Sequence, residues 1–123
     1  NDTRFYVLDT IGELTAAYSL ATIVVIGRSF VPLHGSDPTE SIGLGKPTIV
    51  GPNMLDFPDI THALLQGSGV VQCAASDLKP NIEELLSDSD LCDALRKNGR
   101  AIITSHQGAT KRYVELIEEA IST

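Results

Sequence analysis

Gly35, Ser36 and Asp37 stand immediately before Pro38, and Glu40 follows two residues later. Asp as N-cap, Pro at the first helical position and Glu three residues past the cap form a helix-start signature. The first turn of a helix offers free N–H groups and the positive end of the dipole, so Gly35-Ser36-Asp37 could receive an anion such as a phosphate. A carboxylate one turn in, at Glu40, could accept two hydrogen bonds from the vicinal hydroxyls of a ribose. The same carboxylate could instead fold back onto the Asp37 N–H as half of a capping box, and spacing alone leaves both readings standing. Gly27, directly after an apolar run, lets the backbone approach a ligand closely.

Other polar clusters are accounted for by local structure. Asp9-Thr10 followed by Gly12-Glu13 fits ordinary capping with an acidic first turn, and Gly51-Pro52-Asn53 fits a plain turn. His34, His62 and His106 lie far apart, without the Cys, Asp or Glu neighbours of a metal site; only His62 has one nearby, Asp59. No G-x-S-x-G elbow, GxGxxG fingerprint or P-loop occurs. Gly43-x-Gly45-Lys46 ends a helix and precedes a strand, the reverse of P-loop order.

The elements that must position these residues alternate in type. Phe5–Leu8 is a short apolar run, and Ile11, Leu14, Ala17 and Tyr18 have the spacing of a helix face. Thr22–Ile26 is a β-branched run that suits a strand buried on both faces. A loop follows to Ser36, then a helix from Asp37 to near Gly45, a strand over Pro47–Val50, a helix over Asp59–Gln66 stopped by Gly67 and Gly69, and a strand over Val70–Cys73. From Asp77 onward the pattern is helical, in three segments punctuated by Gly99 and Gly108. Strands alternating with helices through short loops predict an α/β fold: a Rossmann-like parallel sheet with helices on both faces. Ligands of such sheets bind beyond the carboxyl ends of the strands. Three loops qualify, Asp9–Gly12, Gly27–Asp37 and Gly51–Phe57, and all should lie on one rim.

Bulk composition narrows the function. The chain has 123 residues, is 42% hydrophobic and carries a net charge of −7. That is one domain, short for an enzyme with its own second lobe. The acidic balance disfavours nucleic acid as a partner, though a small anion can still be held locally by backbone N–H groups and a cation or two. Cys73 and Cys92 fit a reducing compartment at least as well as a disulfide. No stretch approaches the roughly 18 apolar residues that span a bilayer, and no signal peptide opens the chain. The opening, without a start methionine, reads as a cut from a longer protein.

Taken in order, the loops resemble the 3-deoxy-D-manno-octulosonic acid (Kdo) transferases of lipopolysaccharide synthesis. The segments that carry the resemblance are Asp9-Thr10-Ile11-Gly12-Glu13-Leu14, then Tyr18, TIVVIG, Ser29-Phe30-Val31-Pro32 and Gly35-Ser36-Asp37-Pro38-Thr39-Glu40. Gly45-Lys46-Pro47 and Gly51-Pro52-Asn53 with Phe57 extend the series. The match runs over most of residues 7 to 60. It implies the C-terminal, donor-binding lobe of a two-lobed GT-B glycosyltransferase, with residues 1–123 as one nucleotide-sugar-binding domain of a larger enzyme. Further implications are CMP-Kdo as donor, a lipid A precursor as acceptor, inversion at the anomeric carbon, no metal or other cofactor, and a parent enzyme at the cytoplasmic face of the inner membrane. By the matched positions, Gly12 and Glu13 border the nucleotide, Ser29, Val31 and Pro32 line its pocket, Gly35, Ser36 and Asp37 face phosphate or sugar, and Glu40 takes the ribose. Arg28 and Asn53 are further candidates. The catalytic base of the family belongs to the other lobe, so none is expected here.

Three positions depart from the family pattern. Arg28 replaces the second glycine of G-G-S, Ser36-Asp37 replaces His-Asn, and Ser41 replaces a proline. A carboxylate beside an anionic ligand weakens binding unless a cation such as Arg28 compensates. Two alternatives follow: a GT-B enzyme with a UDP-sugar donor, and a non-catalytic α/β binding module.

Overall fold

The computed structural model describes residues 14–33, 35 and 37–122. Helix α1 (Leu14–Leu20) leads into strand β1 (Val24–Ile26) and a 3-10 turn over Gly27–Phe30. Helix α2 (Thr39–Gly43), strand β2 (Thr48–Val50), helix α3 (Pro58–Gln66) and strand β3 (Val71–Gln72) follow, and helices α4 (Leu78–Ser87) and α5 (Ser89–Ser122) close the described chain. The strands form one parallel sheet in the order β1-β2-β3, with Val25 opposite Ile49 and Ile49 opposite Val71. This is the expected α/β class. The Phe5–Leu8 run and the Asp9–Gly12 loop lie outside the described residues.

Side-chain alternation on the strands builds two cores. Val24, Ile26 and Val50 point to one face and pack with Ile42, Met54, Ile60, Leu64, Val70 and Ile103. Ile49 points to the other and packs with Leu85 and Leu95, flanked by Cys73, Ile82, Leu91 and Cys92. Both cysteines are free thiols, and burial raises the pKa of each. β2 is buried on both faces, but β1 is not, contrary to the expectation for Thr22–Ile26: Val25 keeps 37% of its surface. β1 is one of the two edge strands of the described sheet.

The termini of α2 follow its sequence. Asp37 Oδ1 accepts the Thr39 N–H at 2.9 Å, but Pro38, not Asp37 as expected, holds the N-cap position, and the helix begins at Thr39. At the other end Gly45, at φ +79°, donates to the Ile42 carbonyl, while the Lys46 N–H reaches the Ser41 carbonyl. This pair of bonds is a Schellman stop, which favours glycine at its left-handed position. Ser41, in place of the family proline, is buried and hydrogen-bonds Thr48 at 3.0 Å, and Thr48 Oγ1 donates onward to the Lys46 carbonyl.

Helix α5 is continuous through Gly99 and Gly108, and neither glycine punctuates it. A Cβ on Gly99 would meet Ile42 Cγ2 at 2.6 Å and the Gly69 carbonyl oxygen at 3.0 Å, so this glycine lets two backbones touch. α3 ends at Gln66 with Gly67 as its C-cap, as expected, while the left-handed position falls on Ser68, at φ 56°, rather than on a glycine. Arg96 Nε donates to the Gly45 carbonyl at 2.9 Å and Asn98 to that of Ser68 at 3.3 Å. Gly45 precedes β2 and Ser68 precedes β3, so α5 crosses the amino ends of the strands. Its early residues Leu91 and Leu95 serve one core and Ile103 the other. The carboxyl ends of the strands lie on the opposite rim.

Candidate functional site

β1 delivers the chain into the 3-10 turn at Gly27–Phe30, and the side chains of that turn divide by role. Arg28 is exposed, and its Nε donates to the Leu33 carbonyl at 3.2 Å, closing the loop on itself. Its two terminal nitrogens are the donors suited to an anion. Val31 and Pro32 are exposed on the same loop. Ser29 is fully buried. Its hydroxyl donates to the Ile26 carbonyl and accepts the Gly51 N–H at 2.6 Å, while its own carbonyl accepts the Asn53 N–H at 2.9 Å. Ser29 therefore ties the loop after β1 to the loop after β2, and in this structure it presents no surface to a pocket, in contrast to the lining role the resemblance implies.

The same two loops meet at Gly35. It is buried at φ +86°, and a Cβ there would lie 2.5 Å from the Asn53 carbonyl oxygen and 2.8 Å from Met54 Sδ. Glycine is required at this position by a neighbouring loop. Gly27, by contrast, has open space: nothing lies within 4 Å of its Cβ position. Asn53 is half-buried.

Asp37 and Glu40 form a second group, both exposed at the start of α2. Tyr18, half-buried on α1, faces them. Burial, and then the negative charges of Glu40 and Asp37, raise its phenol above its ordinary pKa of 10.0. Asp37 has one carboxylate oxygen committed to the Thr39 N–H. With five residues, α2 has little more than one turn, so its dipole is small and cations must carry most of any anion affinity.

Gly12, Glu13 and Ser36 lie outside the described residues, as does His34. The described candidates are brought together on one rim as two linked groups: Ser29, Gly35 and Asn53 where the loops join, and Asp37 and Glu40 at the start of α2, with Arg28, Val31 and Pro32 exposed on the connecting loop. A groove of about 600 Å³ runs between α3 and the far half of α5 along Asp59, His106, Thr110, Tyr113 and Ile117, and contains none of these candidates. Among the described residues no group of three His, Cys, Asp or Glu side chains could hold a metal ion.

Two participants escape a reading of the sequence. Tyr18 reads as one member of a helical apolar face, and only the packing of α1 brings it to Glu40. Gln72 ends an apolar strand, and its side-chain amide donates to the Gly51 carbonyl at 3.0 Å. No local spacing signals either contact.

No protein-family model matches the chain. Curated relatives do. The chain is 29% identical over 119 residues to the 3-deoxy-D-manno-octulosonic acid transferase of Haemophilus influenzae, covering 95% of this chain and 28% of that protein. The Bordetella pertussis transferase is 29% identical over 90% of the chain and 26% of its own length. A probable mitochondrial 3-deoxy-D-manno-octulosonic acid transferase of Arabidopsis thaliana is 34% identical over 98% of the chain and 26% of its own length. The fold is shared with the C-terminal CMP-Kdo binding domain of WaaA from Acinetobacter baumannii, at a TM-score of 0.75 and 23% identity over 78% of this chain and 51% of that one. By sequence, then, the chain is a relative of the 3-deoxy-D-manno-octulosonic acid transferases over nearly its whole length, and it spans about a quarter of theirs.

Proposed function

We propose that the chain is the donor-binding part of a glycosyltransferase that moves Kdo from CMP-Kdo to a lipid A precursor. The observation that supports this reading is the exposure of two side chains on the loop and helix start beyond the carboxyl ends of a parallel sheet. They are Arg28 and Glu40, in a chain related throughout to Kdo transferases. On this rim the guanidinium of Arg28 meets the donor's phosphate, and Glu40 accepts the two ribose hydroxyls. Val31 and Pro32 supply apolar contact, and Gly12, Glu13, Ser36 and Asp37 border the nucleotide. Asp37 brings a carboxylate where the family carries asparagine, and Arg28 offsets it. Asn53 contributes through its backbone, by holding the loop.

The acceptor, the catalytic base and the contacts with a membrane surface are assigned to other parts of a full-length enzyme acting on the cytoplasmic side. Among the described residues no helix is long and apolar enough to cross a membrane. The chain alone is expected to bind the donor nucleotide and to transfer nothing.

Calorimetric titration of the chain with CMP and with UMP tests the reading. CMP is expected to bind the more tightly, and Glu40→Ala or Arg28→Ala should each weaken it by about tenfold or more, the cost of hydrogen bonds to a charged group. Preference for UMP would move the assignment to a UDP-sugar enzyme, prompted by Arg28 and Ser36-Asp37. Failure of both nucleotides at millimolar concentration would leave a non-catalytic module.

A further inference from the structure

We infer that Gln72 is a positioning residue for the proposed nucleotide site, acting through Gly51 and Ser29 on the loops that form the rim. The inference rests on the donor-site reading above and adds to it a residue on the strand farthest from the candidate side chains.

Both polar atoms of the Gly51 backbone are engaged, one by the turn after β1 and the other by β3. Its N–H donates to Ser29 Oγ at 2.6 Å, on the β1 side, and its carbonyl accepts Gln72 Nε2 at 3.0 Å, on the β3 side. The main-chain ladder is consumed elsewhere, since the Cys73 N–H pairs with the Val50 carbonyl at 3.1 Å. The Gln72 side chain therefore adds a rung to the sheet one residue beyond the last backbone rung. From Gly51 the tie continues through Ser29 to the Ile26 carbonyl, and a parallel bond joins the Asn53 N–H to the Ser29 carbonyl. The loops after β1 and β2 are thereby clamped to β3 as one hydrogen-bonded lattice. Gly51 leaves no slack at the junction: a Cβ there would lie 2.5 Å from the Ser29 carbonyl oxygen and 2.8 Å from the Phe30 ring. A ligand that needs Arg28 and Glu40 at a fixed separation binds more tightly when the loop between them is held in advance, because less ordering remains to be done on binding.

Gln72 is exposed, so its substitution should leave the core intact. Gln72→Met keeps the length and removes the donor. Gln72→Glu keeps the shape but turns an acceptor toward the Gly51 carbonyl. Each is expected to weaken CMP binding by about three- to tenfold, the range of one part-exposed hydrogen bond. Gln66→Met, the same change at the end of α3, should bind CMP as the unaltered chain does. Amide NMR signals of Ser29, Gly51 and Asn53 should shift in both Gln72 variants, while the melting temperature changes little. CMP affinity within twofold of the unaltered chain in Gln72→Met overturns the positioning role alone. Absence of CMP binding by the unaltered chain overturns the site reading, and with it the role of Gln72.

Discussion

Tyr18 shows how a half-buried phenol comes to depend on its neighbours. Burial disfavours its anion first, and the carboxylates of Glu40 and Asp37 add repulsion. The folded state thus holds the phenol proton more tightly than the unfolded chain does. The resulting contribution to stability is fully present below the ordinary tyrosine value of 10.0 and is lost as pH rises through the higher folded value. Between pH 9 and 11.5 the melting temperature of the unaltered chain should fall further than that of Tyr18→Phe. Equal falls in the two proteins would contradict the assignment. Ser29 teaches a related lesson. Its place in a glycosyltransferase-like loop is visible in the sequence, but its work is not, because a serine that touches a ligand and one that braces a loop look alike until burial is known.

Among the elements, α2 was readable at both ends to within a residue: Asp37 takes the Thr39 N–H just ahead of the Pro38 N-cap, and Gly45 stops the helix, each by a local rule. The glycines of the tail were not. Gly99 and Gly108 look equivalent in sequence, and both sit inside one helix because tertiary packing, absent from any local pattern, decides what each is for. Replacing either by alanine removes an intrinsic helix penalty of about 1 kcal/mol. At Gly108, with nothing within 4 Å, that gain stands, and Gly108→Ala should raise helicity measured by circular dichroism. At Gly99 the new methyl would press on buried Ile42 and on the Gly69 backbone, and overpacking of this kind costs about 1–3 kcal/mol. Gly99→Ala should therefore lower the melting temperature by several degrees, with the opposite sign to Gly108→Ala. A rise in both variants would show that the two helices separate cheaply. The strand centres, β-branched and apolar, were plain from composition, whereas the exposed face of β1 was not, since a run of Thr, Ile and Val does not say which strand forms an edge.

In the molecule as a whole, stability is distributed unevenly along α5. Its first half is pinned by Leu95, Gly99 and Ile103, but every residue from Thr104 to Ile121 is exposed, including Tyr113, Val114, Ile117 and Ile121. Amides of this second half have only intrahelical bonds to protect them, so their hydrogen exchange should run on the order of a hundredfold faster than that of residues 89–103. Uniform protection along α5 would contradict this. The crossing at Gly69 and Gly99 also has a mechanical meaning. A helix rises about 1.5 Å per residue, so the arm from Gly99 to Ser122 extends roughly 35 Å past the fulcrum, and a tilt of about 5° there sweeps the tip through about 3 Å. Ile42 of α2 rests on that same fulcrum. Small settlements of the Glu40-bearing helix against its support are therefore amplified at the far tip, where a spectroscopic label would register them as displacement.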